Sequence, residues 1–242
     1  MAGAALVVVT GASSNHFVPL GNLLYSLARF EASTRVIVYD LGLSYDESRT
    51  LTHDGHQVRR FPFDQHPPHV DITRQRGQYA WKPIIVSDVL REVQGPVLWL
   101  DAGDLVHARL DGARGVLARQ GVYSPRSAGD VARWTHPGTL AALGATPDLL
   151  SRPNRNGAVV GVSPAVAALV ERWRECALDP GCIAPPGSSR ANHRQDQAVL
   201  TVLAYQMQAR YRYLLEDGLL GISTHNDRLS PAEVRRRLCW PT

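Results

Sequence analysis

Among the 26 basic residues of this 242-residue chain there is a single lysine, Lys82. Cysteine is scarce too. Cys176, Cys182 and Cys239 are too few for a disulfide framework, and the first two lack the Cys-x-x-Cys spacing of a zinc site. A bridge between them suits an oxidising compartment, and free thiols are the expectation in a reducing one. No stretch reaches 18 consecutive apolar residues, which argues against a membrane-spanning helix. Charged residues at 20% against hydrophobic residues at 44% argue against disorder. There is no basic block, and no Lys/Arg stripe interleaved with aromatics, so the formal charge of +4 points to no nucleic-acid partner. Met1 to Thr10 lacks the charged flank and the apolar length of a signal peptide, which makes the cytosol the expected location. Repeats, low-complexity tracts and a clear linker are also lacking. One domain spanning 1–242 is the simplest organisation, and a chain of this size buries about 70% of its extended surface.

What is present is an alternation of two patterns. Apolar, β-branched runs at Ala5 to Val9, Val36 to Tyr39, Val97 to Leu100 and Ala158 to Val162 read as strands buried on both faces. Between them Leu20, Leu23, Leu24, Leu27 and Phe30, and then Ile85, Val86, Val89, Leu90 and Val93, recur at helical spacing. Later helices are expected near Ala165 to Leu178, Arg194 to Tyr205 and Pro231 to Leu238, with a Pro- and Gly-rich loop from Leu178 to Asn192. Strand followed by helix, repeated, predicts an α/β fold with a mainly parallel central sheet flanked by helices.

The turn after the first strand, Thr10-Gly11-Ala12-Ser13-Ser14, begins like that of a short-chain dehydrogenase. The likeness then breaks. Asn15 and Phe17 stand where two further glycines belong, and Phe17 would fill the space a pyrophosphate needs. The catalytic tyrosine of those enzymes lies four residues before a lysine, where Lys82 has Gln78. A nicotinamide-dependent reductase is therefore disfavoured. The turn remains either a ligand contact through Thr10, Ala12, Ser13 and Ser14 or an ordinary capped helix start, with Asp40 placed to suit a ribose.

The strand Val97 to Leu100 ends in Asp101-Ala102-Gly103-Asp104. Two carboxylates at the end of a buried strand repel and lose solvation unless a cation offsets them. Hard oxygen ligands in that place suit Mn²⁺ or Mg²⁺ bridging to a diphosphate, and a solvated Asp/Gly turn is the competing explanation. Lys82 lies upstream, beside a helix-starting proline, where a compact charge can contact a diphosphate leaving group.

Tyr79-Ala80-Trp81-Lys82-Pro83, the acidic strand end, Asn156-Gly157-Ala158-Val159-Val160 and His193-Arg194-Gln195-Asp196-Gln197 occur in an order and rough spacing that resemble the retaining glycosyltransferases of family 8, the glycogenin and lipopolysaccharide galactosyltransferase type. A related glycosyltransferase-like group is similar still more closely, through Ser13 to Phe17, Tyr39 to Leu43, Tyr79 to Pro83, Cys176 to Pro185 and His193 to Gln197. The resemblance implies a GT-A (Rossmann-like) fold, with residues 1–110 binding a nucleotide diphosphate sugar and 111–242 forming the acceptor side. It also implies a divalent metal on the Asp-x-Asp equivalent, Asp101 and Asp104, with late-loop His225 as a further ligand. Asp196 and Gln197 would lie near the anomeric carbon, Lys82 at the diphosphate, and Asn156 and Gly157 beside the donor. The acceptor, whether saccharide, small molecule or protein, is open. One departure stands out: the usual second acidic position is Gly103. A sugar-nucleotide-binding relative without turnover is the alternative.

Overall fold

The structure, a computed structural model, describes residues 5–211 and 215–239, without the side chains of 209–211. Its first half runs β1 (Val7–Ala12), α1 (Phe17–Phe30), β2 (Arg35–Asp40), α2 (Tyr45–His53), β3 (Gln57–Arg60), α3 (Trp81–Val93), β4 (Val97–Leu100), β5 (Leu105–Val106) and α4 (Asp111–Gln120). The remainder runs β6 (Val122–Tyr123), β7 (Arg126–Asp130), α5 (Val131–Trp134), α6 (Pro137–Leu143), β8 (Pro153–Arg155), β9 (Val159–Val162), α7 (Ala167–Leu178), α8 (Pro180–Ile183), α9 (Gln195–Tyr211), β10 (Ile222–Ser223) and α10 (Pro231–Cys239).

The central sheet has the order β3-β2-β1-β4-β9-β6. The pairs β1–β2, β2–β3 and β1–β4 are parallel, while β9 runs antiparallel to β4 and β6. The chain builds outward from β1 to β2 and β3, then returns to place β4 on the other side of β1. Such a reversal opens a crevice at the carboxyl ends of the parallel strands.

Alternation along the strands divides the core. Val7 and Val9 of β1 and Trp99 of β4 pack with α3, α7 and α9, while Val8 and Leu98 face Leu23 and Leu27 of α1 and Val116 and Leu117 of α4. Each such aliphatic side chain contributes about 1.5–3 kcal/mol through burial. Local signals set the boundaries. Ser44 and Glu47 form a reciprocal capping box that starts α2, and α4 stops where Gly121 takes a left-handed φ of 78°.

The sequence-derived strands and helices all appear, with three differences. β1 continues past Val9 because Gly11 and Ala12 pair with Tyr39 and Asp40, so the turn expected from Thr10 begins at Ser13. The loop expected from Leu178 to Asn192 contains the single turn α8, started by the Asp179 side chain and Pro180. That turn brings Cys182 back to α7, and Cys176 and Cys182 are joined in a disulfide with their Cα atoms 5.2 Å apart, where free thiols were expected in the cytosol. Among the described residues no helix is long and apolar enough to cross a membrane.

Candidate active site

The carboxyl ends of β1, β2 and β4 open onto a cavity of about 840 Å³. It is floored by the residues that the motifs single out. Lys82, in the first turn of α3, is buried between the Trp81 and Trp99 rings, with Nζ 5.9 and 5.5 Å from their centres. Its ammonium lies 2.9 Å from Asp101 Oδ1 and 3.2 Å from Asp196 Oδ2, and donates to the Gly157 carbonyl at 2.8 Å. The Gly157 carbonyl takes one of its hydrogens, the two carboxylates lie at ion-pair distance, and Asp196 Oδ2 accepts no hydrogen bond among the described residues. Burial works against its charge, yet Asp101 and Asp196 outweigh that and hold its pKa above the ordinary lysine value. For Asp196 burial dominates: it pushes the carboxyl up to about 6 despite Lys82.

Each partner of this hub is itself held. Trp99 donates its indole N–H to Asp101 Oδ1 at 2.6 Å, and Trp173 donates to the Asp196 carbonyl at 2.9 Å, fixing the start of α9. Gln197 donates to the Arg155 carbonyl at 2.6 Å. A Cβ on Gly157 would come within 2.9 Å of Gln197 Cβ, so the glycine lets the 154–157 backbone lie against α9. The side chain of Asn156 accepts from Ala158 N at 2.7 Å, bending the chain into β9.

The acidic end lies beside this hub. Asp104 is 1% exposed; its Oδ2 accepts from Asp101 N at 3.1 Å and its Oδ1 has no partner. Burial, then the charge of Asp101, pushes its carboxyl well above the usual range. Gly103, between them, explains the missing motif acid. A Cβ at 103 would lie 2.4 Å from Oδ1 and 2.7 Å from Oδ2 of Asp227, so a carboxylate from the late loop already occupies that space. The Asn226 N–H donates to the Gly103 carbonyl at 2.8 Å and docks this loop, and Asp227 Oδ1 lies 3.7 Å from His16 Nε2. His225 also lines the cavity, in a left-handed backbone conformation at φ 62°.

The other expected site residues divide. Ala12 and Ser13 line the cavity, as do Asn156, Gly157 and Gln197. Thr10 does not: it is fully buried inside β1 with an unpartnered hydroxyl. Ser14 donates to Glu47 and accepts from Ser44 N at 3.1 Å, tying the turn to α2. Asp40 caps the next turn, accepting from Gly42 N at 2.8 Å and Leu43 N at 2.7 Å, and so shapes the cavity wall without lining it. His193 is enclosed in the core and accepts from His136 N at 3.2 Å.

Sequence reasoning did not single out Asp227, nor the opposite rim. There Gln75, Arg76, Gly77, Gln78 and Tyr79 all have positive φ between 48° and 61°, a left-handed turn that brings Arg76 and Tyr79 to the cavity. Arg190 and Arg194 from the segment before α9, and Trp134 of α5, complete that side. Gly77 was the available signal: a Cβ there would lie 2.1 Å from the Val70 carbonyl oxygen. Gly77→Ala is expected to lower stability by roughly 1–3 kcal/mol, or about 3–10 °C at this size, measured by calorimetry. An unchanged midpoint would show that the turn relaxes without cost.

Solved structures share this architecture. The galactosyltransferase LgtC, solved with donor and acceptor sugar analogues, superposes at a TM-score of 0.56, covering 97% of each chain at 17% identity. The fold is GT-A. Mouse xyloside xylosyltransferase 1 superposes at 0.50 with 13% identity over 95% of this chain and 99% of its own. The bifunctional glycosyltransferase WbbM superposes at 0.51 with 13% identity, over 89% of this chain and 39% of its own. A family model described as a protein of unknown function (DUF1647) matches residues 2–87. No curated protein sequence matches.

Proposed function

We propose that this chain is a glycosyltransferase that moves a sugar from a nucleotide diphosphate donor to an acceptor with retention at the anomeric carbon. The observation that carries this is the Asp101–Lys82–Asp196 hub, set beside the buried Asp104 carboxylate, whose Oδ1 has no partner, at the crevice of a GT-A sheet. The whole 1–242 chain acts as one unit, with 1–110 on the donor side and 111–242 on the acceptor side. The β1 turn at Ala12 and Ser13 receives the nucleoside, and Asp40 acts by holding the adjacent turn in place.

The residues present fit a divalent cation. Asp104 Oδ1 is a buried oxygen without a partner, and Asp101 and Asp227 add carboxylates, with His225 on the same cavity. Among the described residues no three His, Cys, Asp or Glu side chains converge tightly enough to hold an ion unaided. That donor set suits Mn²⁺ or Mg²⁺, which take one or two carboxylates and complete their shell with diphosphate oxygens and water. When bound, the cation offsets charge building on the departing diphosphate.

Lys82 acts as a positioning residue, holding Asp101 towards the acidic end and Asp196 beside the sugar. Gln197, with its amide N–H committed to Arg155, has an Oε1 without a protein partner among the described residues, a neutral acceptor suited to positive charge developing at the anomeric centre. The cytosolic location is compatible with Cys176 and Cys182 as thiols; as a disulfide, the pair belongs in an oxidising compartment.

Thermal midpoints against nucleotides and nucleotide sugars, with Mn²⁺, Mg²⁺ or EDTA and with NADPH as the competing ligand, test this reading. Donor at about 100 times Kd adds about 2.7 kcal/mol, a rise of roughly 5–10 °C for a domain of this size, and EDTA is expected to remove it. Asp101→Asn is expected to abolish the metal-dependent part of the shift. Unchanged donor affinity in that protein sinks the metal assignment, and donor binding without hydrolysis or transfer favours a non-catalytic relative.

A further inference from the structure

The cavity has a second charged end that the proposed donor chemistry does not use. Arg76 and Arg190 both donate to the Tyr79 hydroxyl, at 3.0 and 2.6 Å, and Arg190 also lies over the Tyr79 ring, 5.6 Å from its centre. Arg194 lies 3.9 Å from the centre of the Trp134 ring, which Arg133 also approaches, at 4.7 Å. None of Arg76, Arg190 and Arg194 forms an ion pair among the described residues. All three line one concave wall of the cavity, and burial together with the like charge of Arg190 pulls the Arg194 guanidinium below its ordinary pKa.

Contacts with the Tyr79 and Trp134 rings restrain Arg190 and Arg194, so less freedom is lost when an anion binds. The backbone is strained to the same end. Arg76 and Tyr79 hold left-handed conformations at φ 61° and 57°, which non-glycine residues disfavour and which tend to persist at functional sites. The placement matters as well. The carboxylates near the β4 end need a cation, whereas this wall, built from the turn before α3, the segment before α9 and α5, needs an anion.

We infer that Arg76, Arg190 and Arg194 form an acceptor subsite for an acidic saccharide, one bearing a carboxylate or phosphate, with Tyr79 and Trp134 holding the guanidinium groups at the wall. This rests on the glycosyl-transfer reading and names the acceptor class for it. Guanidinium forks match carboxylate and phosphate oxygens in pairs, and a neutral sugar leaves the clustered charge without an opposite.

The test uses matched probes: glucuronate against glucose, galacturonate against galactose, and glucose 6-phosphate against glucose. Each is titrated calorimetrically into the protein saturated with a nucleoside diphosphate and Mn²⁺. At least one acidic member is expected to bind about tenfold or more tightly than its neutral twin, and Arg190→Gln and Arg194→Gln are each expected to remove about tenfold of that. Nucleoside diphosphate affinity is expected to stay within about twofold in both variants. Equal binding of acidic and neutral twins overturns the proposal. So does a loss of nucleoside diphosphate affinity in the arginine variants, which assigns the wall to the donor's phosphates. A selective loss for UDP-glucuronate over UDP-glucose also overturns it, by placing the negative charge on the donor sugar. Failure of every nucleotide to bind while an acidic sugar still does would refute glycosyl transfer and leave the anion subsite standing.

Discussion

Lys82→Met is expected to cost about 3–5 kcal/mol of stability, a fall of roughly 6–20 °C in thermal midpoint at this chain length. Lys82 is 3% exposed and each of its partners depends on it. Without the ammonium, Asp196 at 5% exposure has no opposing charge, the Gly157 carbonyl loses its donor, and Asp101 keeps only the Trp99 indole on Oδ1. The methionine fills the same volume, so the loss measures unpaired polarity, not a cavity. A paired variant separates the two contributions. Adding Asp196→Leu to Lys82→Met removes the stranded carboxylate and is expected to recover part of the stability while donor turnover stays absent. Urea unfolding of the three proteins decides the matter. A single-variant loss under about 1 kcal/mol would mean that the hub is open to water and that Lys82 is free to turn towards a ligand.

Legibility in the sequence follows physical type. Val97 to Leu100 and Ala158 to Val162 announce themselves because a strand buried on both faces must be continuously apolar. Gln57 to Arg60 does not, because β3 lies at the sheet edge and its polar side chains carry no such constraint. At the site, the short motifs located Lys82, Asp101 and Asp196, residues far apart in the chain. That the three meet each other is a product of how α3, β4 and α9 pack. The arginines of the wall carried no readable signal of their own. Arg76, Arg190 and Arg194 are loop and helix-edge residues without periodicity, and the left-handed run from 75 to 79 uses four side chains that disfavour that conformation. Gly77 alone hinted at it. Asp227 was equally silent, since its importance lies in a glycine more than a hundred residues earlier.

That relation between Gly103 and Asp227 makes the sharpest exchange. Gly103→Asp alone places a Cβ 2.4–2.7 Å from the Asp227 carboxylate and adds a second negative charge against it. It is expected to lose about 1–3 kcal/mol of stability and to displace the loop that Asn226 docks on the Gly103 carbonyl. Asp227→Gly alone removes a carboxylate from the acidic end and is expected to weaken Mn²⁺ binding, read by electron paramagnetic resonance in the presence of a nucleoside diphosphate, by about tenfold. The double variant moves the acid from the loop to the strand end. It is expected to regain most of both losses, giving a favourable coupling of about 1–3 kcal/mol in stability between two positions that touch. Additive losses would mean that Asp227 merely fills the space and that the cation relies on Asp101 and Asp104. Recovery of stability without recovery of Mn²⁺ binding would separate the steric fit, which would then stand, from the proposed ligand role, which would fall.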